Sequence, residues 1–201
     1  LALSCGDFSQ FIVSTRPDCV GEDVADLLAQ YITPEREVWV ELGLQSASDE
    51  TLKRINRGHT LSDYITCAER LHKRGIKICT HVIIGLPGEE RKDFIKTAEA
   101  LNQVGSEGVK IHNLHIPGGT RMAQDYLDGE IVSWSTERYM NEVQYFLRLL
   151  NPGMIVQRLV CETPAHRLMA PRHFMDKSLF LRTLNDKMER DDTRQGDLYE
   201  G

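Results

Sequence analysis

Short apolar runs alternate along the chain with segments whose apolar residues recur every three to four positions. Phe11–Thr15 reads as a strand, and Pro17 ends it because proline cannot join a ladder. Val24, Leu27, Leu28 and Tyr31 then mark one face of a helix. Val38–Leu44 is the next strand, and Ser48 followed by Asp49 and Glu50 caps a short helix. Thr60 to Asp63 resembles a capping box, with Leu61, Ile65, Ala68 and Leu71 on one face behind it and Gly75 as the stop. Ile76–Ile84 is a third strand and Val109–Ile116 a fourth. Between them, residues 89–104 form a helix with Phe94, Ala98 and Leu101 inward. Four β-then-α units in succession predict an α/β fold with a parallel sheet and helical crossovers, as in a barrel or an open doubly wound sheet.

The last third has a different rhythm. Residues 133–150 predict a helix capped by Ser135, Asn151-Pro152-Gly153 a turn, residues 154–160 one more strand and residues 174–188 a closing helix. The polar end, from Glu189 to Gly201, reads as mobile.

Side chains on a strand alternate between its two faces. Val38, Val40, Leu42 and Leu44 share one face of the second strand, which leaves Glu41 and Gln45 on the other beside Trp39 and Gly43. In the third strand Ile78, Val82 and Ile84 suit the helix side, with Thr80 as an exception, against Cys79, His81 and Ile83. In the fourth, Lys110 and His112 alternate with Val109 and Ile111. Any one of these polar residues alone reads equally well as a satisfied core group. The same asymmetry on successive strands points instead to a site near their carboxyl ends, where parallel α/β folds bind ligands. Left unpartnered, each such group costs about 1–3 kcal/mol, and more if charged.

The chain has 201 residues, 41% of them hydrophobic and 27% charged, which suits one ordinary domain. Its net charge of -6 argues against a surface that binds nucleic acid everywhere, while leaving room for a local basic patch. Lys53, Arg54, Arg57 and His59 are the candidates for such a strip. No apolar run approaches the roughly 20 residues of a membrane span, so no membrane partner is expected. Cys5, Cys19, Cys67, Cys79 and Cys161 are scattered and odd in number, which suggests a reducing cytoplasm and offers no close metal-ligand spacing. The chain opens on Leu1 without the basic start of a secretory signal, so an upstream portion is expected.

Gly85-Leu86-Pro87-Gly88-Glu89 follows the third strand directly and by itself reads as a tight βα connection, too short for a phosphate-cradling loop. Together with Gly43-Leu44-Gln45-Ser46 and the stretch Leu52-Lys53-Arg54-Ile55-Asn56-Arg57-Gly58-His59, it resembles the radical S-adenosylmethionine (radical SAM) superfamily. The nearest group is the uncharacterised YhcC-like proteins related to Elp3 and to coproporphyrinogen dehydrogenases. Thr15-Arg16-Pro17-Asp18-Cys19, Lys110-Ile111-His112-Asn113-Leu114-His115 and Arg190 to Gly196 resemble that group too.

The resemblance implies part of a (β/α)6 partial TIM barrel, about strands three to six, over residues 1–130. Residues 131–201 are then a C-terminal α/β extension of the same domain. It implies a [4Fe–4S] cluster held by a three-cysteine C-x3-C-x2-C loop, with S-adenosylmethionine on its fourth iron. Reductive cleavage then yields a 5′-deoxyadenosyl radical that abstracts hydrogen. The three-cysteine loop is absent from this sequence, as is the glycine-rich segment of the second family strand. The cluster ligands are thus expected outside this chain, and the chain alone is expected to be inactive.

Residue by residue, the resemblance makes Gln45 a contact to the cofactor's ribose or carboxylate and Arg57 the partner of that carboxylate. It sets His81 where some relatives place an aspartate for the ribose. It matches backbone at Ile83–Gly85 and at His112–Leu114 to the adenine-contacting strands. Ser46 and Thr15 are weaker candidates; Glu41, Lys110 and His115 are candidates to face substrate. A reductant such as flavodoxin or ferredoxin and tRNA as a candidate substrate complete the expected partners. A non-redox RNA- or protein-binding module derived from the barrel is the alternative. A hydrolase or aldolase lacks any supporting triad, metal triplet or P-loop, with Lys110 open only as a Schiff-base lysine.

Overall fold

A computed structural model describes residues 6–201. Its main sheet has five parallel strands in the order β1-β2-β3-β4-β6: β1 (Gln10–Thr15), β2 (Glu37–Gln45), β3 (Lys77–Ile84), β4 (Gly108–Asn113) and β6 (Ile155–Arg158). Sequential strands lie side by side, as a progressively closing barrel segment requires. A turn of 3-10 helix at Pro17–Cys19 leads from β1 into α1 (Glu22–Ala29). The remaining crossovers are α2 (Asp49–Arg54), α3 (Leu61–His72), α4 (Arg91–Val104) and α6 (Thr136–Leu149). The closing α7 (Lys177–Arg190) contacts α6.

Local chemistry explains the boundaries. Ser48, Thr60 and Ser135 each accept a backbone N–H at the start of α2, α3 and α6, and Thr60 with Asp63 completes the expected capping box. The helix expected over residues 89–104 starts two residues late. Glu90 and Asp93 cap each other's backbone there, and Glu89 turns into the protein.

One core joins sheet and helices. Val40, Leu42, Leu44, Ile78, Val109 and Ile111 have no accessible surface, packed with Tyr64, Leu71, Leu101, Val143 and Phe146 from the helices. Thr80, the polar exception on this side, bonds to the Tyr64 hydroxyl at 2.7 Å and to Ser106 at 2.8 Å, so its burial leaves nothing unsatisfied.

The strand expected over residues 109–116 divides. β4 stops at Asn113, and β5 (Ile116–Pro117) instead pairs antiparallel with β7 (Leu168–Ala170), a small second sheet beside α5 (Arg121–Leu127). Neither that sheet nor α5 shows in the hydrophobic pattern, because two- and three-residue strands carry no readable period.

The expectation of a mobile end is corrected. Gly196 N–H donates to Leu147 O and Leu198 N–H to Arg148 O, while the Gln195 amide reaches the carbonyls of Asn151 and Met154. Gly196 has φ +79, and a Cβ there would meet Pro152 at 2.8 Å. A polar tail tied by backbone hydrogen bonds needs no hydrophobic pattern to be ordered.

Candidate active site

The helix-free side of the sheet is polar in layers. Lateral pairing sets Ser14 beside Glu41 and Cys79, and one step toward the carboxyl ends sets Gly43 beside His81, Lys110 and Arg158. The Ser14 hydroxyl donates to Glu41 Oε2 at 2.7 Å, Lys110 is ion-paired with Glu41 Oε1, and His81 Nε2 lies 3.3 Å from Oε2. Burial opposes the charge on Glu41, yet the lysine and serine hold its carboxyl below the ordinary range. The His81 and His112 rings tilt against each other at 5.2 Å. Burial, then the nearby His81 and Arg158, push His112 down to about 4, so it is neutral at physiological pH. Neither imidazole has a hydrogen-bond partner at Nε2 among the described residues.

Above this layer, β2 ends in a bulge. The register shifts between Gly43 and Gln45, and Gln45 has φ 73, a left-handed conformation uncommon for a residue with a side chain. After α2, Asn56 and Gly58 also take positive φ and bring the chain back beneath the strand end. Arg57 Nη2 donates to Gly43 O at 3.2 Å, and the His59 ring donates to Leu44 O at 3.3 Å. A Cβ on Gly43 would collide with Arg57 Nη2 and lie 2.8 Å from the Gln45 amide nitrogen. Glycine is therefore required where a guanidinium and an amide converge. The Arg57 Nε is buried without a partner. Burial, and then Arg16, lower the proton affinity of this guanidinium, and no carboxylate among the described residues pairs with it.

The ends of β3 and β4 complete the rim. Gly85 has φ +102 and lies under the Trp134 ring, with Leu114 beside it. Arg54 donates to Pro87 O at 2.7 Å and fills the space a side chain on Gly88 would need. The Asn113 amide donates to His115 Nε2 at 2.8 Å, and the opposite nitrogen of that ring donates to Thr163 Oγ1 at 2.6 Å.

Two family models match nearly the whole described chain: the radical SAM superfamily over residues 8–101 and the radical SAM C-terminal domain over residues 106–190. The chain belongs to the radical SAM superfamily. Its radical SAM relatives include YhcC of Escherichia coli K12, 39% identical over 170 residues, 85% of this chain and 55% of that protein. A tRNA-2-methylthio-N(6)-dimethylallyladenosine synthase of Fusobacterium nucleatum is 25% identical over 162 residues, covering 77% of this chain and 37% of its own length. Among solved structures, Elp3 of Methanocaldococcus infernus superimposes with a TM-score of 0.77 at 23% identity, over 92% of this chain and 42% of that one. That likeness shows the fold, a radical SAM partial barrel. The chain spans 55–61% of the length of its most similar relatives.

The expected site residues fall into three groups on this radical SAM sheet. Gln45 and Arg57 meet over Gly43. His81 on β3 and His112 on β4 lie together, with Glu41 of β2 and Lys110 of β4. Ile83, Gly85 and Leu114 edge the ends of β3 and β4. Ser46 turns the other way, buried, its hydroxyl donating to Glu89 and accepting from Ser48 N–H at 3.0 Å. Lys53, Arg54, Arg57 and His59 do not form an exposed strip: Arg54 is bonded to Pro87 and Glu50, and His59 is 6% exposed.

Glu89 escaped sequence reasoning. It is 6% exposed, and burial pushes its carboxyl up to about 7 despite the Ser46 hydroxyl. Only its place after two turn glycines marked it, and its partner lies 43 residues away. Among the described residues no three His, Cys, Asp or Glu side chains gather to hold a metal ion.

Proposed function

We propose that the full-length protein is a radical SAM enzyme and that this chain supplies most of its S-adenosylmethionine seat. The observation that carries this reading is the convergence of Arg57 and Gln45 over Gly43, with Arg57 Nε buried and unpartnered. An orphaned guanidinium edge costs free energy unless an anion takes it, and a carboxylate accepts two of its hydrogen bonds at once. The methionyl carboxylate of S-adenosylmethionine fits that need, with the Gln45 amide beside it. His81, neutral through burial, offers one ring nitrogen to a ribose hydroxyl. The half-buried strand ends at Ile83 and Leu114, beside the Trp134-covered Gly85, suit the flat adenine.

The ligands of the [4Fe–4S] cluster belong outside the described residues, since the sequence has no C-x3-C-x2-C loop, and the chain alone does not turn over. Arg57, Gln45 and His81 would hold S-adenosylmethionine, and with a reduced cluster the bound cofactor would supply one-electron, hydrogen-abstracting chemistry. The protein's own work is to grip the carboxylate, orient the nucleoside and keep water from the strand ends. Relatives named as tRNA-modifying enzymes support RNA as the substrate class, with a flavodoxin- or ferredoxin-type reductant. A cytoplasmic setting belongs to the same reading; among the described residues no helix is long and apolar enough to cross a membrane.

The test is anaerobic reconstitution of the full-length protein. It turns brown, binds S-adenosylmethionine and releases 5′-deoxyadenosine under a reductant. Arg57→Lys, which cannot offer the bidentate fork, weakens cofactor binding by about tenfold or more, read by calorimetry. A colourless protein without cofactor affinity, or an Arg57→Lys variant that binds normally, overturns the reading.

A further inference from the structure

Two broad surface cavities differ in their charge. The larger, about 580 Å³ between α6 and α7, carries both signs: Arg91 is paired with Glu142, and Lys187 with Asp191. Arg148 is paired with Asp197 as well, and the remaining cation, Arg138, stacks over the Trp134 ring at 4.1 Å. The other, about 550 Å³, lies around β7 and is lined by His166, Arg167, Leu168, Met169, Arg172 and His173, together with small residues. No carboxylate lines it. Among the described residues, the side chains of His166, Arg167 and His173 have no ion-pair partner, and Arg172 donates only to Met169, through its carbonyl at 3.2 Å and its sulfur. In a chain of net charge -6, two unanswered guanidinium groups and two imidazoles around one hollow stand apart from the rest of the surface.

Position adds to composition. β7 is held by β5, which follows the carboxyl end of β4, so the basic hollow is tied to the rim of the strand-end site. A smaller cavity of about 220 Å³ shares Leu168 and Arg172 with it and reaches His115, Cys161 and Thr163 at the ends of β4 and β6. The shared wall at Leu168 and Arg172 sets the unpaired arginines next to the cavity that reaches those strand ends, a cavity that Glu162 and Asp176 also line.

We infer that the hollow formed by His166, Arg167, Arg172 and His173 is a phosphate-binding site that anchors a phosphate of the substrate while its reacting part lies at the strand ends. Planar guanidinium forks match phosphate oxygens two at a time, and exposed cations suit a ligand that arrives with its own counter-ions. The expected source is the backbone of an RNA. In that respect the inference rests on the RNA part of the reading above, and it is independent of the cofactor part.

The experiment measures binding of bulk tRNA, and separately of adenosine monophosphate, to the reconstituted full-length protein across a series of KCl concentrations without reductant. The double variant Arg167→Gln/Arg172→Gln weakens tRNA binding about tenfold or more. It also flattens the slope of log affinity against log salt by roughly one for each arginine removed. Arg148→Gln, a cation removed from the α6–α7 cavity, leaves both unchanged, and thermal melts check that each variant is folded. A loss confined to tRNA identifies the source as RNA; a loss of mononucleotide binding identifies a small phosphorylated substrate at the same site. No loss for either ligand, or an equal loss from Arg148→Gln, overturns the inference. S-adenosylmethionine binding, read on the same variants, stays normal and separates this failure from failure of the cofactor reading.

Discussion

The face of the sheet beneath the helices carries Val38, Val40, Leu42, Leu44, Ile78, Val82, Ile84, Val109 and Ile111, none more than 2% exposed. The opposite face carries Ser14, Glu41, His81, Lys110 and His112; the Glu41 carboxylate gathers Ser14, His81 and Lys110, and His112 Nε2 has no partner among the described residues. Both faces are made by the same strands from alternate residues. On the first face each side chain contributes by leaving water, roughly 1.5–3 kcal/mol for a fully buried one. On the second, burial is a cost that the Glu41 pairings offset in part. The difference teaches that stability resides on one side of the sheet and binding capacity on the other.

The sharpest way to break this comparison is Leu42→Ala, which opens a cavity where nothing is exposed. It should lower stability by about 2–5 kcal/mol in denaturant unfolding, while leaving the opposite face intact. A loss under about 1 kcal/mol would mean that the helix-side core is not what holds the sheet.

A second probe concerns Glu89, a carboxyl buried without an ion-pair partner and pushed up to about 7 from an ordinary 4.5. The folded protein therefore holds a proton that the unfolded chain releases near pH 4.5. The contribution of this group is most favourable below that pH and is lost as pH rises toward 7. Glu89→Gln removes the dependence and keeps the contact to Ser46. Above pH 7 the variant should exceed the wild type by up to roughly 3 kcal/mol, and at pH 4 the two should converge. Equal stabilities at every pH would show that the carboxyl is solvated.

The smallest effect belongs to the polar face itself. Lys110→Met strips Glu41 of its closest partner but leaves Ser14 and His81. The cost should be about 1–2 kcal/mol, below the 3–5 typical of a fully buried pair. Adding Glu41→Gln should restore most of it, which a thermodynamic cycle detects. Because Glu41 is held below its ordinary range, its own contribution persists above about pH 4.5 and disappears as pH falls.

Legibility followed the same division. The aliphatic sides of β2, β3 and β4 were readable residue by residue, because period-two alternation requires only a local pattern. So were the caps at Ser48, Thr60 and Ser135, whose partners lie three residues away. The candidate site was half readable. Glu41, His81, Lys110 and His112 stood out as polar residues on inward positions, while the role of Gly43 as the bare floor under Arg57 and Gln45 depended on a bulge that no pattern signals. Ser46 looked like a rim residue and proved to be a buried link to Glu89.

By itself the sequence determined the parallel α/β order, the apolar and polar faces of each strand and, through its motifs, membership of the radical SAM superfamily. These rest on local periodicity and contiguous residues. The tertiary structure alone decided which polar groups answer one another: Glu41 with Lys110 across 69 residues, Ser46 with Glu89, and the arginines around β7 with no carboxylate among the described residues. Pairing between distant charges is a property of packing, since the energy of each depends on how far burial and neighbours deny it water.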